Sequence, residues 1–89
     1  MTEESKGLLA RLAKIEGQVK GIAKMIEQDR DCVDILTQIS AVNGSLMSVA
    51  KIVMQHHVEH CVVNGIKYGN EEDTVKQLKI ALEQYLKIK

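Results

Sequence analysis

The 89-residue chain contains no proline, phenylalanine or tryptophan, and only two tyrosines. A core without large aromatic rings must be built from aliphatic side chains, and a chain this short then gains only about 3–5 kcal/mol from a monomeric core. No proline is present to break a helix from within. The composition therefore favours one helical domain, residues 1–89, that is stabilised further by self-association.

The sequence also lacks a long apolar run, since no stretch of about 18 consecutive apolar residues is present, and it predicts no transmembrane helix. The first residues, MTEESKGLL, are acidic and polar and do not resemble a signal peptide. These features predict a cytoplasmic protein with no membrane partner. In that compartment two cysteines are more often reduced and reactive than joined in a structural disulfide.

Apolar residues recur with helical spacing along the whole chain. From Leu8 to Ile26 they follow steps of three and four residues, which predicts a helix from about residue 4 to about residue 28. A second, longer pattern runs from about Cys32 to about Val63. Its apolar band is too wide for one buried face and indicates a partner chain. Gly44 is the residue in this pattern that disfavours a helix, and it predicts either a break in the helix or a site of close contact between helices.

The segment GIKYGN, residues 65–70, predicts a loop. Asn70 is a suitable N-cap, and the acidic residues 71–73 then fall in the first turn of a third helix, where the helix dipole favours them. The apolar stripe of that helix consists of Val75, Leu78, Leu82 and Leu86. The predicted fold class is all-α, with three helices per chain in the order long, longest and short.

All three histidines and one of the two cysteines lie within MQHHVEHC, residues 54–61. His57 and Cys61 are four residues apart, share a helix face and could hold one metal ion. Along a continuous helix Cys32 would lie about 37–44 Å from them. Only a second chain, packed antiparallel with its symmetry centre near residue 45 or 46, would bring Cys32 to the other two.

Two thiolates and one imidazole form a soft, three-coordinate environment that suits Cu(I), whereas Zn(II) would want a fourth ligand. Two thiols without a metal could instead trap an oxidant or a sulfane-sulfur species. The ordinary structural alternative is a cysteine that packs as a small hydrophobe beside histidines on a solvated helix face.

Positive charge is concentrated in the first helix, where residues 5–24 carry a net charge of +4. The basic side chains lie on the arc opposite the apolar stripe, and such a face either binds phosphates or is simply solvated. The candidate DNA-binding residues are Arg11, Lys14, Gln18, Lys20 and Lys51. No nucleophile is paired with a general base in a recognisable cleft pattern, so the sequence does not indicate an enzyme.

Three stretches, RLAKIEGQVKGI (11–22), DCVDILTQISAVNGSL (31–46) and HHVEHC (56–61), resemble the copper-sensitive operon repressor family of bacteria, over nearly the whole chain. The resemblance implies an antiparallel helical dimer that assembles into a dimer of dimers, a homotetramer. It implies binding to double-stranded operator DNA and release when the effector binds. It also implies a Cu(I) site made by Cys32 of one subunit with His57 and Cys61 of another.

Within that family, the Cys-His-Cys set resembles the copper sensors, whereas persulfide sensors keep only the two cysteines. Thr2 stands where formaldehyde sensors have proline, and no histidine precedes His56, as nickel or cobalt sensors would usually require. Asp31 and Gln77 stand where copper sensors usually carry a tyrosine and a glutamate that support the site. Gln77 can still accept a hydrogen bond from an imidazole N–H. His60 is expected beside the metal ligands rather than among them.

The sequence therefore predicts a DNA-binding transcriptional repressor that is released by Cu(I). A repressor of the same family that senses persulfides through Cys32 and Cys61 is the alternative. A third, different interpretation is a metal-buffering protein without DNA binding.

Overall fold

The computed structural model describes residues 3–88, which form three α-helices: α1 (Glu3–Glu27), α2 (Cys32–Tyr68) and α3 (Glu71–Ile88). The predicted all-α fold, with a long, a longest and a short helix, is confirmed. None of these described helices is both long enough and apolar enough to cross a membrane.

The connection between α1 and α2 is a Schellman motif. The Arg30 amide donates to the Met25 carbonyl over 3.0 Å, and the Asp29 amide donates to the Ile26 carbonyl over 3.1 Å. Asp29 has a φ of 51°, a left-handed conformation that aspartate tolerates better than most residues do. The carbonyl of Asp31 then accepts the first hydrogen bond of α2. Asp31 therefore occupies the N-cap position, where aspartate is among the preferred residues.

The second helix is longer than the sequence predicts. Its predicted end near Val63 and the predicted loop over residues 65–70 are wrong, because α2 continues to Tyr68 and only two residues separate it from α3. Gly65 is buried inside the helix, and a Cβ there would lie 2.5 Å from Thr74 Oγ1. This glycine therefore serves the close approach of α3 rather than a turn. The turn itself uses Gly69, whose φ is 66°.

Gly44 does not interrupt α2, which runs through it without a break. A Cβ at this position would meet no atom within 4 Å. Of the two predicted explanations, a break in the helix is therefore wrong. Close contact does not occur within one chain, and a contact with a second chain stays a prediction.

The chain forms two compact units, the first ending at Val49 and the second beginning at Ala50, and α2 contributes to both. In the first unit α1 packs with the beginning of α2, and this unit holds the buried apolar side chains of the described chain, Ile15 and Val42, each 7% exposed. In the second unit α3 packs with the rest of α2. Large apolar side chains remain exposed in both units, as at Leu36 (62%) and Val75 (66%).

Candidate functional site

His57 and Cys61 meet on one face of α2, with 3.4 Å between Cys61 Sγ and His57 Nε2. Both side chains are half-buried. Their spacing of four residues accounts for the contact, because residues four apart lie one turn above each other on a helix. Which partner carries the proton depends on the tautomer of the imidazole ring. The pair therefore places a nitrogen donor and a sulfur donor close enough together to bind one metal ion.

Cys32 is the first residue of α2 and is exposed, and both cysteines are free thiols. It belongs to the first unit, whereas His57 and Cys61 belong to the second. Among residues 3–88 no group of three or more His, Cys, Asp or Glu side chains could hold a metal ion. A single chain therefore brings together two of the three predicted ligands, and the contribution of Cys32 from a second chain stays a prediction.

Beside Cys61 lies a polar cleft of about 320 Å³ between the end of α2 and the start of α3. Gln77 lines this cleft together with Cys61, as do Asn64 and Tyr68. Gln77 therefore lies near Cys61 within the chain, and its role in supporting a metal site stays a prediction. His60 is exposed, and Asp31 is exposed at the N-cap of α2 in the first unit. The structure does not bring Asp31 to the His57–Cys61 pair within this chain.

On the other side of the pair, an apolar groove of about 350 Å³ runs between α2 and α3. His57 lines it together with Met54 and Tyr85. From the sequence, Met54 is expected only as part of the apolar band of the second helix. The signal that distinguishes it is its position three residues before His57, which places its thioether on the same helix face.

Three of the predicted DNA-binding residues, Arg11, Lys14 and Gln18, line one cleft of about 410 Å³ in the first unit. Ser45 and Ser48 of α2 face them across this cleft. The Gln18 Oε1 atom is buried and has no hydrogen-bond partner among the described residues. The cleft therefore offers two cations, Arg11 and Lys14, to a ligand. The serines were missed as site residues because small hydroxyl side chains carry no charge signal.

The two other predicted DNA-binding residues lie elsewhere. Lys20 lies outside this cleft and forms an exposed ion pair with Glu16, with 3.6 Å between Nζ and Oε1. Lys51 is exposed and belongs to the second unit. The basic face predicted for α1 is therefore divided between two depressions, one lined by Arg11 and Lys14 and the other by Lys20 and Lys24.

The sequence model of the family described as metal-sensitive transcriptional repressor matches residues 4–84 of the chain. The copper-sensing transcriptional repressor CsoR of Bacillus subtilis (strain 168) is 42% identical to it over 86 residues, which cover 97% of this chain and 85% of that protein.

Solved structures with the same fold include a copper-sensing and a nickel-responsive regulator. One is the copper-sensing repressor CsoR with Cu(I) from Geobacillus thermodenitrificans NG80-2, with a TM-score of 0.86 and 38% identity over 97% of this chain and 91% of that one. The other is the nickel-responsive transcriptional regulator InrS, with a TM-score of 0.85 and 34% identity over 90% of each chain. The relatives thus include both copper and nickel sensors.

Proposed function

The chain belongs to the family of metal-sensitive transcriptional repressors, and from this premise we propose that Cu(I) releases it from double-stranded operator DNA. The observation that carries the proposal is the His57–Cys61 pair, whose donor atoms lie 3.4 Å apart on one helix face. A repressor acts where the chromosome is, so we propose that the protein works in the cytoplasm.

The donor types fit Cu(I). Thiolate sulfur is a soft ligand and imidazole nitrogen a borderline one. Cu(I) binds stably to a small number of such ligands. Cys32 of a second chain would complete a site with two sulfurs and one nitrogen. Ni(II) favours square-planar or octahedral sites richer in nitrogen and oxygen. Gln77, which lines the cleft beside Cys61, would accept a hydrogen bond from the imidazole N–H and hold the ring in place.

The DNA-binding surface of the proposal is the cleft lined by Arg11, Lys14 and Gln18. Its two cations would contact phosphate oxygens and release condensed counterions, which supplies much of the affinity of such proteins for DNA. Lys20 and Lys51 would add to the positive field from the rim. A dimer of dimers, the proposed assembly, would repeat this cleft and fix the spacing between copies.

The two sites would be coupled through the assembly. When Cys32 of one chain and His57 and Cys61 of another hold the same ion, the start of one α2 is drawn to the end of the next. This would change the spacing of the basic clefts between subunits. Linkage requires that DNA weaken Cu(I) binding by the same factor by which Cu(I) weakens DNA binding.

The test is an anaerobic Cu(I) titration of the reduced protein against a competing chelator, with thiolate-to-copper absorption as the signal. We expect one tight Cu(I) per chain. His57→Ala should remove the tight site and the loss of DNA binding on Cu(I) addition. His60→Ala is the matched control, because His60 is exposed on the same helix. Tight binding that is indifferent to His57 would contradict the proposal.

A persulfide-sensing repressor is the second candidate, favoured by the opening of the Cys61 thiol into the polar cleft. There each thiol would take one sulfur from a small persulfide and release the corresponding thiol. The two resulting cysteine persulfides would condense to a trisulfide with loss of H₂S. His57→Ala would spare this response, and mass spectrometry would show one extra sulfur between Cys32 and Cys61.

A further inference from the structure

Besides the Cys61 thiol, the surroundings of His57 contain another soft sulfur donor, the Met54 thioether, in the apolar groove. The groove has a volume of about 350 Å³, and Met54 and His57 are the side chains lining it whose sulfur or nitrogen atoms can bind a soft metal. Both side chains are half-buried. The Met54 thioether, with its polarizable sulfur, lies about one helical turn before the His57 imidazole.

This donor pair selects for a soft monovalent ion. A thioether is neutral and soft, so it binds Cu(I) well and hydrated hard cations poorly. The other walls of the groove are mainly hydrocarbon and aromatic, with Ala50, Val53, Ala81 and Ile88 among them. Such a wall offers no carboxylate that could neutralise a divalent ion, and burying an unneutralised divalent ion is costly. Two neutral donors also bind more weakly than thiolates do, which permits the ion to leave again.

His57 lies between two sulfurs on the same helix. Met54 is three residues before it and Cys61 is four residues after it, and Nε2 is 3.4 Å from Cys61 Sγ. We propose that Met54 and His57 form a docking site that receives Cu(I) before Cys61 does. The bond between copper and the Met54 thioether then breaks, the bond to the Cys61 sulfur forms, and the thiol proton goes to solvent. Copper stays in the +1 state throughout, so no oxidant or reductant is needed.

The first experiment observes the docking site directly. It uses the full-length Cys61→Ser variant with methionine ε-methyl groups labelled with ¹³C, titrated anaerobically with Cu(I) and followed by NMR. We expect the Met54 methyl resonance to shift at substoichiometric Cu(I), whereas those of Met25 and Met47 stay in place. His57→Ala in the same background should abolish the shift. No shift at Met54, or equal shifts at Met25, Met47 and Met54, would overturn the inference.

The second experiment measures the rate of copper uptake. Met54→Leu keeps the apolar volume of the groove but removes the sulfur. We expect it to slow Cu(I) transfer from a chelator several-fold in stopped-flow absorption, while the final Cu(I) affinity is unchanged. Met47→Leu is the matched control, because Met47 lies on the same helix but outside the groove.

The inference rests on the proposed Cu(I) function, and the two fail differently. If the native chain shows no tight Cu(I) site, the proposed function fails, and the methyl shifts still decide whether Met54 receives copper. If the native chain binds Cu(I) tightly and Met54→Leu takes it up at the native rate, the docking inference alone fails.

Discussion

The basic side chains of α1 differ in what surrounds them. Arg11 lies in the cleft with Lys14 and Gln18, whereas Lys20 lines a different depression and forms an exposed ion pair with Glu16. Exposed ion pairs of this kind contribute little energy because solvent screens them. Arginine in a concave site can instead donate two parallel hydrogen bonds to one phosphate.

Arg11→Gln should weaken operator binding by about 1.5–3 kcal/mol, the range for a hydrogen bond to a charged group. It should also lower the slope of log affinity against log salt concentration by about one, since one phosphate contact is lost. Fluorescence anisotropy with labelled operator DNA at several salt concentrations measures both quantities. Lys20→Gln is the control and should have a clearly smaller effect. Equal losses for the two variants would show that the cleft has no special role.

Individual site residues differ in how far the sequence could predict them. The proximity of His57 and Cys61 follows from their spacing, because a helix fixes which residues share a face. The proposed role of Cys32 does not follow from spacing in the same way, because it depends on a second chain. The proposed role of Met54 was not predicted, because a thioether at helical spacing reads as one more apolar residue. Ser45 depends on the packing of α1 against α2, which periodicity does not specify.

At the scale of helices, the end of α2 is where sequence reasoning was wrong. Glycine is a poor helix former, and the cluster GIKYGN therefore reads as a loop. Gly65 is nevertheless helical, because its missing side chain lets Thr74 of α3 approach closely. The energy of packing α3 outweighs the local cost of the glycine. The start of α3 after Asn70 was predictable, since an N-cap signal depends only on neighbouring residues.

Gly65→Ala should destabilise the protein by about 1–3 kcal/mol, the usual cost of overpacking a tight contact. The new methyl group would lie 2.5 Å from Thr74 Oγ1, which is itself held by a 2.8 Å hydrogen bond to the Asn70 carbonyl. Urea unfolding followed by circular dichroism measures the change.

Adding Thr74→Ala to Gly65→Ala should restore much of the lost stability, because it removes the two side-chain atoms nearest to the new methyl group. If the single variant is as stable as the native chain, the gain of about 1 kcal/mol expected for alanine over glycine in a helix offsets the cost of the new contact with Thr74. The contact between the helices is then looser than the structure indicates. A destabilised single variant that Thr74→Ala does not rescue would place the cause elsewhere.

At the scale of the whole molecule, the chain leaves much of its apolar surface uncovered. The buried apolar side chains of the described residues are Ile15 and Val42, whereas side chains such as Leu36 and Val75 are mostly exposed. Apolar surface on this scale is typical of proteins that associate. The wide apolar band of the second helix predicted the same need for a partner chain. It could not specify the arrangement of the chains, because periodicity shows that a face is buried but not against what.

Gly44 tests the proposed antiparallel dimer. Within one chain a Cβ at Gly44 meets nothing within 4 Å, so Gly44→Ala should strengthen α2 by about 1 kcal/mol. In a dimer whose two α2 helices cross near residues 45 and 46, the same methyl group would press against the α2 helix of the partner and separate the helices. We therefore expect Gly44→Ala to weaken dimerisation, as measured by sedimentation equilibrium. It should also weaken Cu(I) binding, because Cys32 of one chain would no longer reach His57 and Cys61 of the other.

Gly21→Ala is the matched control, since that helical glycine is equally unobstructed and lies on α1. A Gly44→Ala protein that dimerises and binds Cu(I) as the native chain does would exclude a close crossing at this position, and the third ligand would have to arrive by another arrangement of subunits.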